Sequence, residues 1–195
     1  MPKGVPVARP RSKIDISHIT MEIIRKYQPE MLNKLMPFDI ERFYEFDLTD
    51  LTGVRPVYEE LPLELHGYTD IEQMKCVISN RLADDVSRIQ FFRSTVAHEV
   101  GHAVMHVREF RQRKTLIRLI HNQEDASLRL YHEEDIPPFR NPEWQAWWFA
   151  KSLLMPGVMV RKAVEDGYDV YDLAQTFQVY PAFVLRRLRD LRISL

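Results

Sequence analysis

The stretch Thr95 to His106, TVAHEVGHAVMH, constrains the fold more tightly than any other, because it places His98-Glu99-Val100-Gly101-His102 in an H-E-x-x-H pattern. Residues four apart on an α-helix lie about 40° apart around the axis and about 6 Å along it. Two imidazoles at that spacing reach one metal ion from the same side. Glu99, on the neighbouring face, can take a proton from a water activated by that ion, which is the chemistry of a zinc hydrolase helix. The wheel supports this reading: Val96, Val100, Val104 and Val107, with Ala97 and Ala103, fall on one side, and His98, Glu99, His102 and His106 on the other. A solvated face that carries three histidines by chance is the alternative. If the metal reading holds, the rest of the chain must bury the valine side and bring in a third ligand.

Composition narrows the setting. A chain of 195 residues fits one domain with at most a small appendage. The formal net charge of -1 gives no global argument for a nucleic-acid or membrane partner. No apolar run approaches the roughly 18–20 residues of a membrane span, and the opening MPKGVPVARPRSK lacks the apolar core of a secretory signal. Cys76 is the single cysteine, so no internal disulfide is possible, and its apolar neighbours suggest a buried inert thiol. A cytoplasmic protein is the expectation.

Residues 1–13, with three prolines and Lys3, Arg9, Arg11 and Lys13, read as a flexible arm. Ile16, Ile19, Ile23 and Ile24 give helical spacing over Asp15 to Tyr27, and Asp39 is a plausible N-cap for a second helix that Gly53 ends. Val54–Tyr58, Leu63–His66 and Met74–Ser79 read as three short strands of a small sheet, broken by Gly67. An edge strand of such a sheet can hold an extended peptide by main-chain hydrogen bonds. The polar run from Asn80 to Arg93 leads to the metal helix, with Ser94 as its candidate N-cap. Beyond His106, Thr115–Ile120 and Ser127–His132 have strand character around the turn His121–Ala126, which predicts a β-hairpin inserted within residues 107–141. His121, His132, Glu133 and Glu134 are surface residues on this reading and reserve candidates for a ligand.

Asn141-Pro142-Glu143 is a strong helix start, with the helix ending before Pro156-Gly157. Glu143, Ala146, Trp147, Ala150, Leu153 and Leu154 share a face, and the alanines allow another helix to approach closely. A carboxylate at the end of such a face is costly to bury unless it is paired or binds a metal. Local physics therefore names Glu143 either as the third ligand or as an ordinary partner of the helix dipole. Three short helices follow in residues 157–195. The corner Gln178-Val179-Tyr180 resembles that of a helix-turn-helix, and Arg186, Arg187, Arg189 and Arg192 make the last helix basic. Phe183, Val184, Leu188 and Leu191 can instead turn that helix toward the core, leaving the arginines solvated.

TVAHEVGHAVMH and EWQAWWFAKSLLMP together resemble the ImmA/IrrE family of metallopeptidases. The first matches T-x-A-H-E-x-G-H over Thr95 to His102. The second matches E-x-x-A-x-x-F-A-x-x-L-L-M-P through Glu143, Ala146, Phe149, Ala150, Leu153, Leu154, Met155 and Pro156. FDIERFYEF, ELHGYTD and DLAQTFQVYPAFVLRRL are looser similarities. The resemblance implies an α+β zincin-like fold over residues 14–156, with zinc on His98, His102 and Glu143 and Glu99 as general base. It also implies a cytoplasmic protein whose substrate is a helix-turn-helix repressor. Two departures stand out: Trp147, where the family commonly has a small polar residue, is expected to narrow or dry the cavity, and the separation of His102 from Glu143 is longer than usual.

The leading expectation is thus a zinc-dependent endopeptidase that relieves repression by cutting a DNA-binding repressor. Tyr131, His132 and His106 are weak candidates for stabilising an oxyanion; His106, a full turn past His102, suits a supporting place better. The alternative is a non-enzymatic zinc-containing regulator or toxin–antitoxin component that binds a partner protein, or DNA through the last helix.

Overall fold

The computed structural model describes residues 5–121 and 130–194. Strand β1 (Val5–Pro6) leads to helix α1 (Lys13–Tyr27). Ser12 starts α1 with a reciprocal capping box: its hydroxyl accepts from the Asp15 N–H and the Asp15 carboxylate accepts from the Ser12 N–H. Asp39 accepts from the Arg42 N–H and starts a helical run made of α2 (Ile40–Arg42), a π turn (Phe43–Asp47) and α3 (Leu48–Thr52). Gly53, at φ 77°, ends it in a backbone conformation that glycine adopts without strain.

Strands β2 (Arg55–Glu59), β3 (Gly67–Asp70) and β4 (Lys75–Ser79) form a mixed sheet in the order β2-β4-β3. β2 runs parallel to β4 and β3 antiparallel to it, which leaves β3 at an edge. Buried Tyr44 ties the π turn to this sheet, its hydroxyl accepting from the Val57 N–H at 3.0 Å and donating toward the Cys76 carbonyl at 2.5 Å. Then come α4 (Asn80–Ala83), α5 (Ile89–His102), a second π turn (Ala103–Val107) and α6 (Arg108–His121). β5 (Leu130–Tyr131) pairs antiparallel with β1. The chain closes with α7 (Pro142–Leu154), α8 (Gly157–Glu165), α9 (Val170–Phe177) and α10 (Pro181–Leu191). The architecture is α+β and zincin-like, with the H-E-x-x-H helix at its centre. No helix of the described residues is long and apolar enough to cross a membrane.

The core forms where α5 crosses α7. Val96, Ala97 and Val100 meet Ala146, Phe149 and Ala150, all fully buried. Gly101 makes this approach possible: a Cβ there would lie 3.1 Å from Phe149 Cδ1, 3.2 Å from Ala146 Cα and 3.3 Å from the Ala146 carbonyl oxygen. Two of those atoms are backbone and cannot swing aside. Gly101→Val is therefore expected to push α7 outward, lowering stability by about 1–3 kcal/mol and weakening metal binding, since Glu143 sits one turn from Ala146. Thermal denaturation and zinc titration of the variant test both effects.

Five local expectations differ from what forms. The metal helix starts at Ile89, not at Ser94; Ser94 lies inside it and its hydroxyl donates back to the Phe91 carbonyl at 2.9 Å. Nothing between Ile89 and Arg93 breaks a helix, and burial of Phe92 favours the extra turn. Leu63–His66 is not a strand: the strand begins at Gly67 itself, and Leu63-Glu64 is a turn.

Thr115–Ile120 is helix α6, not the first strand of a hairpin. The run Arg108–His121 holds neither Gly nor Pro, and extending an existing helix needs no new nucleus. The expected turn and the start of the second strand, residues 122–129, lie outside the described residues.

The arm expected to be flexible is docked from Val5 onward. Besides the β1–β5 pair, the Ala8 N–H donates to the Arg140 carbonyl and the Arg11 N–H to the Phe139 carbonyl, each at 2.9 Å. These partners lie far along the chain, at residues 130–131 and 139–140, so the arm's composition alone could not reveal them.

Lastly, Arg187 is not solvated. It is 2% exposed, its Nε donates to the Met155 carbonyl at 2.9 Å, and burial lowers its pKa to about 10. Arg186, Arg189 and Arg192 are exposed. Arg187→Ala is expected to cost about 2–4 kcal/mol through the cavity and the abandoned carbonyl, measurable by denaturant unfolding. Arg187→Met, which fills the space, is expected to cost less.

Candidate metal centre

Helix α5 carries His98, Glu99 and His102 into a cleft of about 430 Å³. The cleft is walled by Gly67, Tyr68 and Thr69 of β3, by Val5 and Pro6 of β1, and by Pro142 and Glu143 at the start of α7. Asn141 fixes that start: its side-chain oxygen accepts from the Glu143 N–H at 2.8 Å and the Trp144 N–H at 3.2 Å, with Pro142 in the first turn. The cap fixes the backbone of this first turn, and from it the Glu143 side chain reaches α5. His98 Nε2 lies 3.2 Å from one Glu143 oxygen and His102 Nε2 3.3 Å from the other, and the two Nε2 atoms are 3.1 Å apart.

These spacings suit a metal. Donors about 2.0–2.1 Å from one tetrahedral zinc ion are about 3.3–3.4 Å from each other. Among the described residues, His98, His102 and Glu143 are the group whose ligand atoms converge in this way. Three of the reserve candidates are placed elsewhere. His132, Glu133 and Glu134 are exposed and line a neighbouring groove, with Glu133 accepting from Asn141 Nδ2 at 3.2 Å. His121 ends α6. Tyr131 and His132, weighed for the oxyanion, are not among the described residues that line the cleft.

The electrostatics are those of a coupled site. Burial alone would raise the Glu143 carboxyl, but hydrogen bonds with His102 and His98 outweigh it and hold the group well below the usual carboxylate range. Burial opposes charge on His102, yet the Glu143 hydrogen bond and charge, with that of Glu99, raise its pKa. Burial, and then the neighbouring His102, push His106 well down.

Glu99 is 7% exposed and one carboxylate oxygen accepts from Thr69 Oγ1 at 2.8 Å. Gly67, two residues earlier on the same face of β3, lets the strand lie against Glu99: a Cβ there would be 3.0 Å from Glu99 Cγ. No local signal in the sequence assigns Thr69 or Gly67 to this place, although both lie in ELHGYTD. His106 is 1% exposed, with Nδ1 3.1 Å from His102 Nδ1 and Nε2 3.0 Å from Gln145 Oε1. Trp147 lies against the His98 ring, centroids 4.3 Å apart, and is itself 42% exposed. It covers His98 from outside rather than lining the cleft.

The family model Peptidase_M78, described as the IrrE N-terminal-like domain, matches residues 64–189. A solved structure, a Mycobacterium tuberculosis transcriptional regulator, superposes with a TM-score of 0.56 at 14% identity, covering 89% of this chain and 46% of that one. That likeness concerns the fold. This chain thus corresponds to less than half of that regulator's length. No curated protein matches the sequence. The chain belongs to the IrrE N-terminal-like family.

Proposed function

We propose that this member of the IrrE-like family is a zinc-dependent endopeptidase that cuts a helix-turn-helix type transcriptional repressor and so relieves repression. The observation that carries the reading is the pairing of three converging donors, His98, His102 and Glu143, with a carboxylate, Glu99, held beside them by Thr69. Bound there, zinc would lower the pKa of a water toward about 7 and polarise the scissile carbonyl. Glu99 takes the proton of the attacking water and returns it to the leaving amine nitrogen. Thr69 keeps one Glu99 oxygen in place, leaving the other for proton transfer. Edge strand β3, whose Gly67, Tyr68 and Thr69 line the cleft, offers its backbone to an extended peptide by strand addition. That mode favours an unfolded linker over a folded domain as the site of cutting. Buried Cys76 fits a reducing cytoplasm.

The test is incubation of the zinc-loaded protein with purified helix-turn-helix repressors and an unstructured control protein, with fragments read by mass spectrometry. One new terminus in a repressor linker, lost on chelation, is expected. No cleavage of any substrate would end the proposal. The non-enzymatic alternative retains one favourable feature, the three exposed arginines 186, 189 and 192 beside the α9–α10 corner. It requires DNA binding that falls steeply with salt and disappears when those three are replaced.

A further inference from the structure

The N-terminal arm reaches the proposed metal site through a chain of hydrogen bonds whose directions follow one from another when His106 is neutral. Gln145, on α7, is fully buried. Its Nε2 donates to two carbonyls, Arg9 at 2.9 Å and Phe139 at 2.8 Å. Carbonyls only accept, so these bonds set the orientation of the amide and leave Oε1 on the other side. There Oε1 accepts from Arg11 Nη1 at 3.0 Å and faces His106 Nε2 at 3.0 Å. An amide oxygen cannot donate, so His106 Nε2 carries the hydrogen. In a neutral imidazole this makes His106 Nδ1 an acceptor. It lies 3.1 Å from His102 Nδ1, which must then be the donor. His102 Nε2 is thereby left with its lone pair pointing at His98 and Glu143, as a metal ligand requires.

The arm is pinned so that it can play this part. The Arg9 N–H donates to Glu109 Oε1 at 2.7 Å. Arg11 Nη2 donates to the Met105 carbonyl at 2.9 Å and lies 3.0 Å from Glu109 Oε2. Met105 belongs to the π turn that carries His106. His98 has no such support: its Nδ1 is buried without a hydrogen-bond partner among the described residues.

We infer that His106 is a positioning residue for the metal ligand His102, and that residues 9–11, outside the stretch the family model matches, select its tautomer through Gln145. The inference rests on the proposed metal site but not on peptidase activity. Outer-shell partners of this kind typically change metal affinity by about 10–100-fold.

Two measurements test it, neither of which uses cleavage. The first is zinc affinity, by competition with a chromophoric chelator. Gln145→Leu is expected to weaken binding by about 10–100-fold. Arg11→Met combined with Glu109→Gln, which leaves no buried carboxylate without its arginine, is expected to weaken it less but in the same direction. The paired variant guards against simple misfolding of Gln145→Leu. The second is the nitrogen NMR signature of His106 in the zinc-loaded protein, which a merely structural role would not move. A single Nε2–H tautomer is expected in the wild type and a mixed or Nδ1–H tautomer in Gln145→Leu. Zinc affinity unchanged within about twofold in both variants, below the usual outer-shell range, would overturn the inference, as would an Nδ1–H tautomer in the wild type. A protein that shows both expected results yet cuts nothing would end the peptidase proposal and leave this inference standing.

Discussion

Glu99→Gln is expected to lower the rate of peptide cleavage by about 100–10,000-fold, the range a positioned general base contributes, while zinc content and melting temperature stay at wild-type values. The reasoning is geometric. Gln has the shape of Glu, so it fits the same space beside Gly67, where the strand carries no Cβ. Its side-chain oxygen still accepts from Thr69 Oγ1, so the buried hydroxyl keeps a partner. Glu99 is not one of the three converging donors, so the metal has no reason to leave. What disappears is a group able to accept and return a proton. Steady-state rates on a repressor substrate, with zinc measured in the same samples, separate the outcomes. Undiminished proteolysis would show that Glu99 is not the base. Lost activity accompanied by lost zinc would show that its role is structural.

What the sequence disclosed depended on distance along the chain. His98 and His102 were legible because four residues of helix fix their geometry. The Asn141-Pro142-Glu143 start was legible because a cap needs only neighbouring residues, and from the first turn that it fixes Glu143 reaches α5. Ala146 and Ala150 announced a close helix crossing, and Gly101 is the place on α5 where it occurs. Thr69 is thirty residues from Glu99 in the chain, and Arg11 is 134 from Gln145, so no local pattern revealed either contact. The arm shows the same limit from the other side. Its prolines and basic residues match a disordered tail, yet Arg9 and Arg11 find buried acceptors on α6, α7 and the π turn. The missed helix over Thr115–Ile120 has a different cause. Its isoleucines and threonine favour a strand when read alone, but they continue a helix that α5 has already nucleated.

Glu143→Ala is expected to weaken zinc binding by more than the roughly 10–100-fold that an outer-shell change produces, because it removes one of the three converging donors among the described residues that are proposed to hold the ion. The fold should survive. Glu143 lies in the first turn of α7 with its side chain 39% exposed, and the Asn141 cap and Pro142 remain. The lost dipole interaction is worth only about 0.3–1 kcal/mol. His98 and His102 would keep their 3.1 Å spacing on α5, so residual weak binding by two imidazoles is expected in place of none. The contrast is sharpest in thermal denaturation. A ligand at about 100 times its Kd stabilises a protein by about 2.7 kcal/mol, so added zinc should raise the melting temperature of the wild type and barely move that of the variant. A variant that holds one zinc per chain as tightly as the wild type would place the third ligand elsewhere. His132, Glu133 and Glu134, in the groove that shares Glu143, would then be the first to replace.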